Sequence, residues 1–183
     1  SGRLRVPVPV FLPGRLMEVR VSMGTVRLVC EVSDVATPQQ TVIGVDLGVN
    51  TLLAATDGEK AILVSGRAAK AIVQGRNQQL ANLQRAQSSK TKGSRRWKRL
   101  QQRKARMLAK SSRRLRDVMH KATRKVVNAF PGATCYVGNP FNDAAQKIGP
   151  RQAQQVSSAC NARLIAQLDY KTCGAIQVDE AYT

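Results

Sequence analysis

The segment from Lys90 to Lys125 constrains the fold of this chain more than any other part of its sequence. It holds 16 of the 30 Lys and Arg residues and a single acid, Asp117. Its apolar residues recur at helical spacing, and runs typical of β-strands precede and follow it. A domain that interrupts its sheet with so cationic a helix most readily binds a polyanion. Among polyanions, nucleic acid is the best match for this charge density, because binding releases counterions from the phosphates and so favours the complex.

The overall composition agrees with such a partner. The 183 residues carry a net charge of +19, which favours nucleic acid over acidic small molecules. A membrane surface also attracts cations, but no apolar run approaches the ~18–20 residues that span a bilayer, and no signal peptide is recognisable. Four cysteines without a CxxC pair indicate reduced, buried thiols and no zinc site. We therefore expect a cytoplasmic protein without a membrane partner.

The first part of the chain predicts a small β unit. Three runs of alternating polarity begin at Val6, Met17 and Val26, with turn signals between them. They predict an antiparallel meander or barrel fragment over residues 1–36. Three short strands make a poor independent core, and residues 37–40 have the composition of a linker.

Residues 41–183 predict a larger α/β unit. The expected strands are Thr41–Gly48, Thr51–Thr56, Ala61–Ser65, Ala133–Gly138 and Ala175–Asp179, and the expected helices are Arg67–Ser88, Arg95–Ala129 and Arg151–Thr172. The two long helices predict a basic hairpin, residues 67–130, inserted between the third and fourth strands. Three antiparallel strands, a helical excursion and then strand–helix–strand is the order of the ribonuclease H-like fold with a mixed sheet.

Asp46 is the strongest candidate for chemistry, because it lies within an otherwise apolar strand. A carboxylate buried there is costly unless it is paired, hydrogen-bonded or bound to a metal. Gly44 and Gly48 flank it and would allow a ligand to approach closely. The structural alternative is an aspartate that caps or kinks the end of the strand near Gly48.

Several motifs together resemble the TnpB family of transposon-encoded, RNA-guided nucleases, which is ancestral to type V CRISPR effectors. They are the basic helical hairpin and the segments Gly44–Asn50, His120–Arg124 and Val178–Thr183. The resemblance covers residues 41–183, and residues 1–36 resemble the end of the wedge-type barrel that precedes them in that family. Asp-Leu-Gly also opens actin-like ATPases, but the further Gly-rich phosphate loops of those proteins are not found.

The resemblance implies a RuvC-type site in which three carboxylates hold two Mg²⁺ ions for phosphodiester cleavage. Asp46 matches the first carboxylate. Asn139 occupies the position of the second and brings no negative charge, although Asp143 could substitute for it. Glu180 is a further nearby acid whose plain interpretation is a solvated edge residue. The third carboxylate and a zinc ribbon would follow Thr183, so we expect impaired cleavage.

By the same resemblance the partners are a guide RNA and a target DNA in the prokaryotic cytosol or nucleoid. The expected phosphate contacts are Lys90, Lys92, Arg95, Arg96, Lys98, Arg99, Arg103, Lys104, Arg106, Lys110, Arg113, Arg114, Arg116, Lys121, Arg124 and Lys125. We interpret Trp97 as a core residue and His120 as a packing or phosphate-contacting residue. Two functions stay open: a disabled portion of an RNA-guided endonuclease, or a natural nuclease-dead protein that binds DNA through a guide RNA.

Overall fold

The chain divides into two units, residues 1–36 and 37–183. The computed structural model describes residues 11–12, 14–22, 25–31, 41–138 and 161–178. In the first unit, β1 (Arg15–Ser22) pairs antiparallel with β2 (Thr25–Glu31), with an irregular register between Leu16 and Glu18. These strands correspond to the second and third alternating runs. The first run, from Val6, lies largely outside the described residues.

The second unit contains a five-stranded mixed sheet and helices, which confirms the expected α/β class. Its elements are β3 (Val42–Asp46), β4 (Thr51–Thr56), β5 (Ala61–Ser65), α1 (Arg67–Ser88), α2 (Arg95–Ala129), β6 (Thr134–Gly138), α3 (Asn161–Asp169) and β7 (Ala175–Val178). The strand order is β5-β4-β3-β6-β7. The β3–β4 and β4–β5 pairs are antiparallel, whereas β3–β6 and β6–β7 are parallel. This arrangement is compatible with a ribonuclease H-like fold.

The turns between the strands follow from local chemistry. Asp57 Oδ1 accepts hydrogen bonds from the amides of Glu59 and Lys60 at 3.0 and 2.8 Å. Gly58, between Asp57 and Glu59, has φ +96°, which glycine adopts without steric cost. The backbone donors hold the pKa of Asp57 below its ordinary value. This closes the tight β4–β5 hairpin that the Asp-Gly pair predicts.

The core lies between one face of the sheet and the helices. The sheet contributes Ile43, Val45, Leu47, Leu53, Ala55, Cys135 and Val137, all at most 4% exposed. From α2, the buried apolar residues are Leu115, Met119, Ala122 and Val126, and from α3 they are Leu164, Ile165 and Leu168. Every fully buried residue of α2 therefore belongs to its C-terminal half. The N-terminal half of this 35-residue helix contacts α1, where Gln87 Nε2 donates to Gln101 Oε1 at 3.0 Å.

The opposite face of the sheet is exposed, which corrects one expectation. We expected the strand that carries Asp46 to be buried, but burial alternates along β3. Val42, Gly44 and Asp46 face solvent, while Ile43 and Val45 face the core. Side chains of a strand alternate between faces, so a helix layer on one side buries only every second residue.

Candidate nucleic-acid interface and carboxylate site

Asp46 is the last residue of β3, the central strand of the sheet, and its side chain is exposed. It pairs across the sheet with Ala54 of β4, which in turn pairs with Leu63 of β5. On the other side, β6 runs parallel to β3 and ends at Gly138, with Val45 opposite Val137. The carboxylate thus stands at the carboxyl end of two adjacent parallel strands. Ligands commonly bind at this end in open α/β sheets.

The surface beside Asp46 is otherwise apolar or small. Gly44 lies opposite Tyr136 of β6, and Tyr136 lies opposite Ile176 of β7. Tyr136 and Ile176 are 40% and 48% exposed. A Cβ on Gly44 would have only the carbonyl oxygen of Thr56 within 4.0 Å. The face around Gly44 is therefore open, as the expected approach of a ligand requires.

Gly48 lies where two backbone segments approach each other closely. A Cβ at this position would lie 2.8 Å from the carbonyl oxygen of Thr51. The glycine is therefore required by the tight turn between β3 and β4, which brings two backbone segments together. The expected role in admitting a ligand is not needed to explain it.

A surface pocket of about 630 Å³ opens beside that turn. It is lined by Asn50, Thr51, Leu63, Ser65, Arg67 and Lys70. Lys70 Nζ donates to Asn50 Oδ1 at 3.4 Å. Leu63, which lines the pocket, lies two strands away from Asp46 in the same cross-strand row, or about 10 Å. Its lining includes the cations Arg67 and Lys70 and no acid, so the pocket is cationic.

Helix α2 displays the cationic surface. Its N-cap is Ser94, whose Oγ accepts a hydrogen bond from the Trp97 amide at 3.2 Å. All fourteen of its Lys and Arg residues are exposed except Lys104, which is half-buried. Its only acid, Asp117, pairs with Lys121 at 2.8 Å. Within the ranges that the structure describes, this is the only ion pair of α2, so its other cations have no carboxylate partner there.

Trp97 and His120 are both half-buried. Trp97 lies on the N-terminal half of α2, which faces α1, so it is not part of the main core. His120 lies on the half that packs against the sheet. Burial, together with nearby Lys171 and Arg116, holds the pKa of His120 below its ordinary value, whereas Asp117 raises it slightly.

A polar cluster joins α2 to the turn that follows α3. Thr123, fully buried, is within 3.1 Å of the Met119 carbonyl oxygen and of Gln167 Oε1. Lys171 Nζ donates to Thr123 Oγ1 at 2.6 Å and to the His120 carbonyl oxygen at 3.4 Å. Burial and the neighbouring Arg124 hold the pKa of Lys171 below its ordinary value.

The sequence-predicted site residues are only partly described. Asp46 lies in the sheet as expected, and the basic residues from Lys90 to Lys125 all belong to α2 or the loop before it. Asn139, Asp143 and Glu180 lie outside the described residues. Within the described ranges no three His, Cys, Asp or Glu side chains converge. Of the predicted metal ligands, only Asp46 lies among the described residues.

Sequence reasoning missed Lys171 and Thr123. Thr123 lies in the C-terminal half of a basic helix, and Lys171 lies in the turn that follows α3. Thr123 lies on the apolar stripe of α2, between Met119 and Val126 at helical spacing. A threonine at such a position was the signal that could have marked it. No local pattern marks Lys171, because its partners are 48 and 51 residues away.

The strand order, the exposed carboxylate and the basic helix define an α/β protein with a mixed sheet whose central strand ends in an acid. Residues 20–137 match the family model OrfB_IS605, described as a probable transposase. Since this match spans well over half of the chain, the protein belongs to the OrfB_IS605 family. The match supports the transposon-related class that the resemblance to TnpB implied. A comparison with curated proteins gives no match. No helix among the described residues is long and apolar enough to cross a membrane.

Proposed function

We propose that this chain is the nucleic-acid-binding, RuvC-like portion of a TnpB-type RNA-guided DNA endonuclease, impaired in cleavage as its sequence stands. The observation that carries the proposal is the surface of α2, with thirteen exposed cations and one acid. A solvated helix face typically mixes both signs of charge. An excess this large is compensated when phosphates replace the counterions. Membership in a transposase family supports a nucleic acid as the polyanion.

The partners we propose are a guide RNA and its target DNA. Lys and Arg side chains contact phosphates and position a duplex without reading its bases. In RNA-guided recognition, base pairing with the guide reads the sequence, and the protein senses the shape and backbone of the heteroduplex. A long helix rich in cations and poor in base-reading side chains suits this division of roles.

Mg²⁺ is the cofactor that the proposal implies, since it prefers oxygen ligands and binds through carboxylates and substrate phosphates. When bound, it would supply charge stabilisation for phosphodiester cleavage. Asp46 is the residue of this chain positioned to hold it. Asn139, which directly follows β6, contributes a neutral amide where the resemblance assigns an acid. We therefore expect weak metal binding and little cleavage.

The proposal is tested by titrating the chain with a 20-base-pair RNA–DNA hybrid at a series of salt concentrations. One variant replaces Arg103, Arg106, Lys110 and Arg114, which lie along one side of α2, with glutamine. Its matched control replaces Arg15, Arg27, Lys60 and Arg163, which are exposed outside α2. Both variants lose four charges. We expect the α2 variant to lower the slope of log K against log salt by roughly three to four, and the control to lower it little.

Equal losses in both variants would mean that net charge alone, and not the α2 surface, binds the hybrid. Preferential binding to anionic lipid vesicles by the wild-type chain would contradict the proposal altogether, because a basic helix can also lie on a membrane surface.

The alternative is a natural nuclease-dead protein that binds DNA through a guide RNA and acts as a repressor or as a subunit of a complex. Asn139 favours it. The two are separated by Asn139→Glu in the full natural reading frame, assayed for guided cleavage with Mg²⁺. Recovery of cleavage, lost again on adding Asp46→Ala, identifies a disabled nuclease. Continued binding without cleavage identifies the nuclease-dead protein.

A further inference from the structure

Among the described residues, the ammonium of Lys171 donates hydrogen bonds only to neutral oxygens, and it lies 5.8 Å from the centre of the Tyr170 ring. Its two hydrogen bonds go to the hydroxyl of Thr123 and the carbonyl of His120, and no carboxylate accepts from it in the described part of the chain. Burial and then the like charge of Arg124 hold the pKa of Lys171 below its ordinary value. A half-buried ammonium in this setting is unfavourable unless an anion compensates it.

The turn that carries Lys171 is fixed on both sides. The amides of Lys171 and Thr172 donate to the Leu168 carbonyl at 3.0 and 2.9 Å, closing the end of α3. Two further backbone bonds, from Cys173 to Ala133 and from Cys135 to Gly174, join the turn to β6. The ammonium is therefore held in place by the fold, and no large loss of side-chain freedom accompanies an anion's arrival.

The hydroxyl of Thr123 orients this ammonium by accepting a hydrogen bond from it. Its hydroxyl is completely buried and is held by α2 itself and by Gln167 of α3. An ammonium has three donor hydrogens, and two of them have partners among the described residues. The third donor has no acceptor among the described residues, and the guanidinium of Arg124 is exposed, so both can contribute to binding an outside ligand.

Helix α2 leads directly to this position. Arg116, His120 and Arg124 are spaced four residues apart, so they lie on one side of the helix. Arg116 and Arg124 are exposed, and His120 is half-buried between them. A nucleic-acid backbone that follows this row reaches Lys171, which belongs to a different element.

We propose that Lys171, Arg124 and His120 form a binding site for a backbone phosphate of nucleic acid, at the junction of α2 with the turn after α3. The site lies where the duplex would pass from the projecting basic helix onto the packed core of the unit. This inference rests on the proposed function and names one anchoring point within it. The chemical class of the ligand is a phosphodiester.

The direct test uses the unmodified chain. Surface lysines are acetylated with and without a 20-base-pair RNA–DNA hybrid, and modification of each lysine is measured by mass spectrometry. We expect the hybrid to reduce modification of Lys171 at least severalfold and to leave Lys60, on the β4–β5 turn, unchanged. Unchanged modification of Lys171 in the saturated complex would overturn the inference.

Substitution provides the second test. Lys171→Met keeps the aliphatic stem and removes the charge, Lys171→Arg keeps the charge, and Lys60→Met is the matched control for net charge. We expect Lys171→Met to lower the slope of log K against log salt by roughly 0.9. The ratio of wild-type to variant affinity for the hybrid should therefore fall about threefold between 50 and 200 mM salt. Lys171→Arg and Lys60→Met should retain the wild-type slope.

The outcomes separate this inference from the proposed function. If the wild-type chain binds no hybrid, the proposed function fails and the inference fails with it. If the chain binds the hybrid but Lys171→Met, folded by circular dichroism, keeps the wild-type slope, only the inference fails. If that variant unfolds, the acetylation result on the unmodified chain decides.

Discussion

The amide of Gly66 donates a hydrogen bond to the carbonyl oxygen of Asn50 at 2.7 Å. This bond joins the residue before α1 to the turn that follows β3. A Cβ on Gly66 would overlap the carbonyl oxygen of Val49 and lie 3.0 Å from that of Asn50. The start of α1 and the end of the Asp46 strand are therefore packed backbone to backbone.

Gly66→Ala should destabilise the fold by about 1–3 kcal/mol, because the added methyl forces two backbone segments apart. Gly75→Ala is the matched control: it lies within α1 and its Cβ would contact nothing within 4 Å. There alanine should stabilise the helix by roughly 0.5–1 kcal/mol. Urea denaturation of both variants measures the two effects. Equal effects of the same sign would contradict the close approach at Gly66.

The two halves of α2 should differ in what they contribute to stability. Met119 is completely buried against the sheet, whereas Met107 is only half-buried in the half that contacts α1. Met119→Ala should lower the free energy of unfolding by about 2–5 kcal/mol, because it leaves a cavity in the core. Met107→Ala should cost clearly less. Similar losses in the two variants would mean that the projecting half of α2 is also part of the core.

Stability should fall in mild acid because of His120, the only histidine of the chain. Burial and the charges of Lys171 and Arg116 lower its pKa in the folded state, against a smaller opposing effect of Asp117. The folded state then binds fewer protons than the unfolded state. Stability is full above the unfolded pKa of about 6.5 and falls as the pH decreases below it towards the folded pKa.

Thermal melting between pH 7.5 and 5 checks this prediction. His120→Gln, which cannot gain a proton, should lose the part of the pH dependence that His120 causes. A variant that melts with the same pH profile as the wild type would show that other groups are responsible. With the RNA–DNA hybrid bound, a phosphate near His120 would raise its pKa, so the affinity for the hybrid should increase as the pH falls.

Cys135 should resist thiol reagents in the folded protein. It is completely buried on β6, and burial raises the pKa of its thiol, with a smaller opposing effect of the hydrogen bond to Thr172. The thiolate is the reactive form. Cys30, half-buried on β2, should react at least tenfold faster at pH 8 as followed by mass spectrometry. Equal rates would mean that β6 opens readily.

Much of the secondary structure could be predicted from periodicity. Both long helices begin and end at the expected residues, since their apolar stripes and the Ser94 cap are local signals. The strand expected at Thr41–Gly48 is shorter, Val42–Asp46, because Gly48 belongs to the turn. The order of elements along the chain indicated a ribonuclease H-like fold, and the observed mixed sheet is compatible with it. Asn139, Asp143 and Glu180 were also named from sequence, and they lie outside the described residues.

What the sequence determined by itself was the type and order of the elements, the charge of α2 and the place of Asp46 within the first strand of the sheet, because these depend on spacing between near neighbours. Only the tertiary structure decided which face of the sheet is covered, and so left Asp46 exposed. It also brought Lys171 to within 2.6 Å of Thr123, 48 residues away. Contacts of that kind depend on how α3 packs against α2, and no local pattern of residues encodes them.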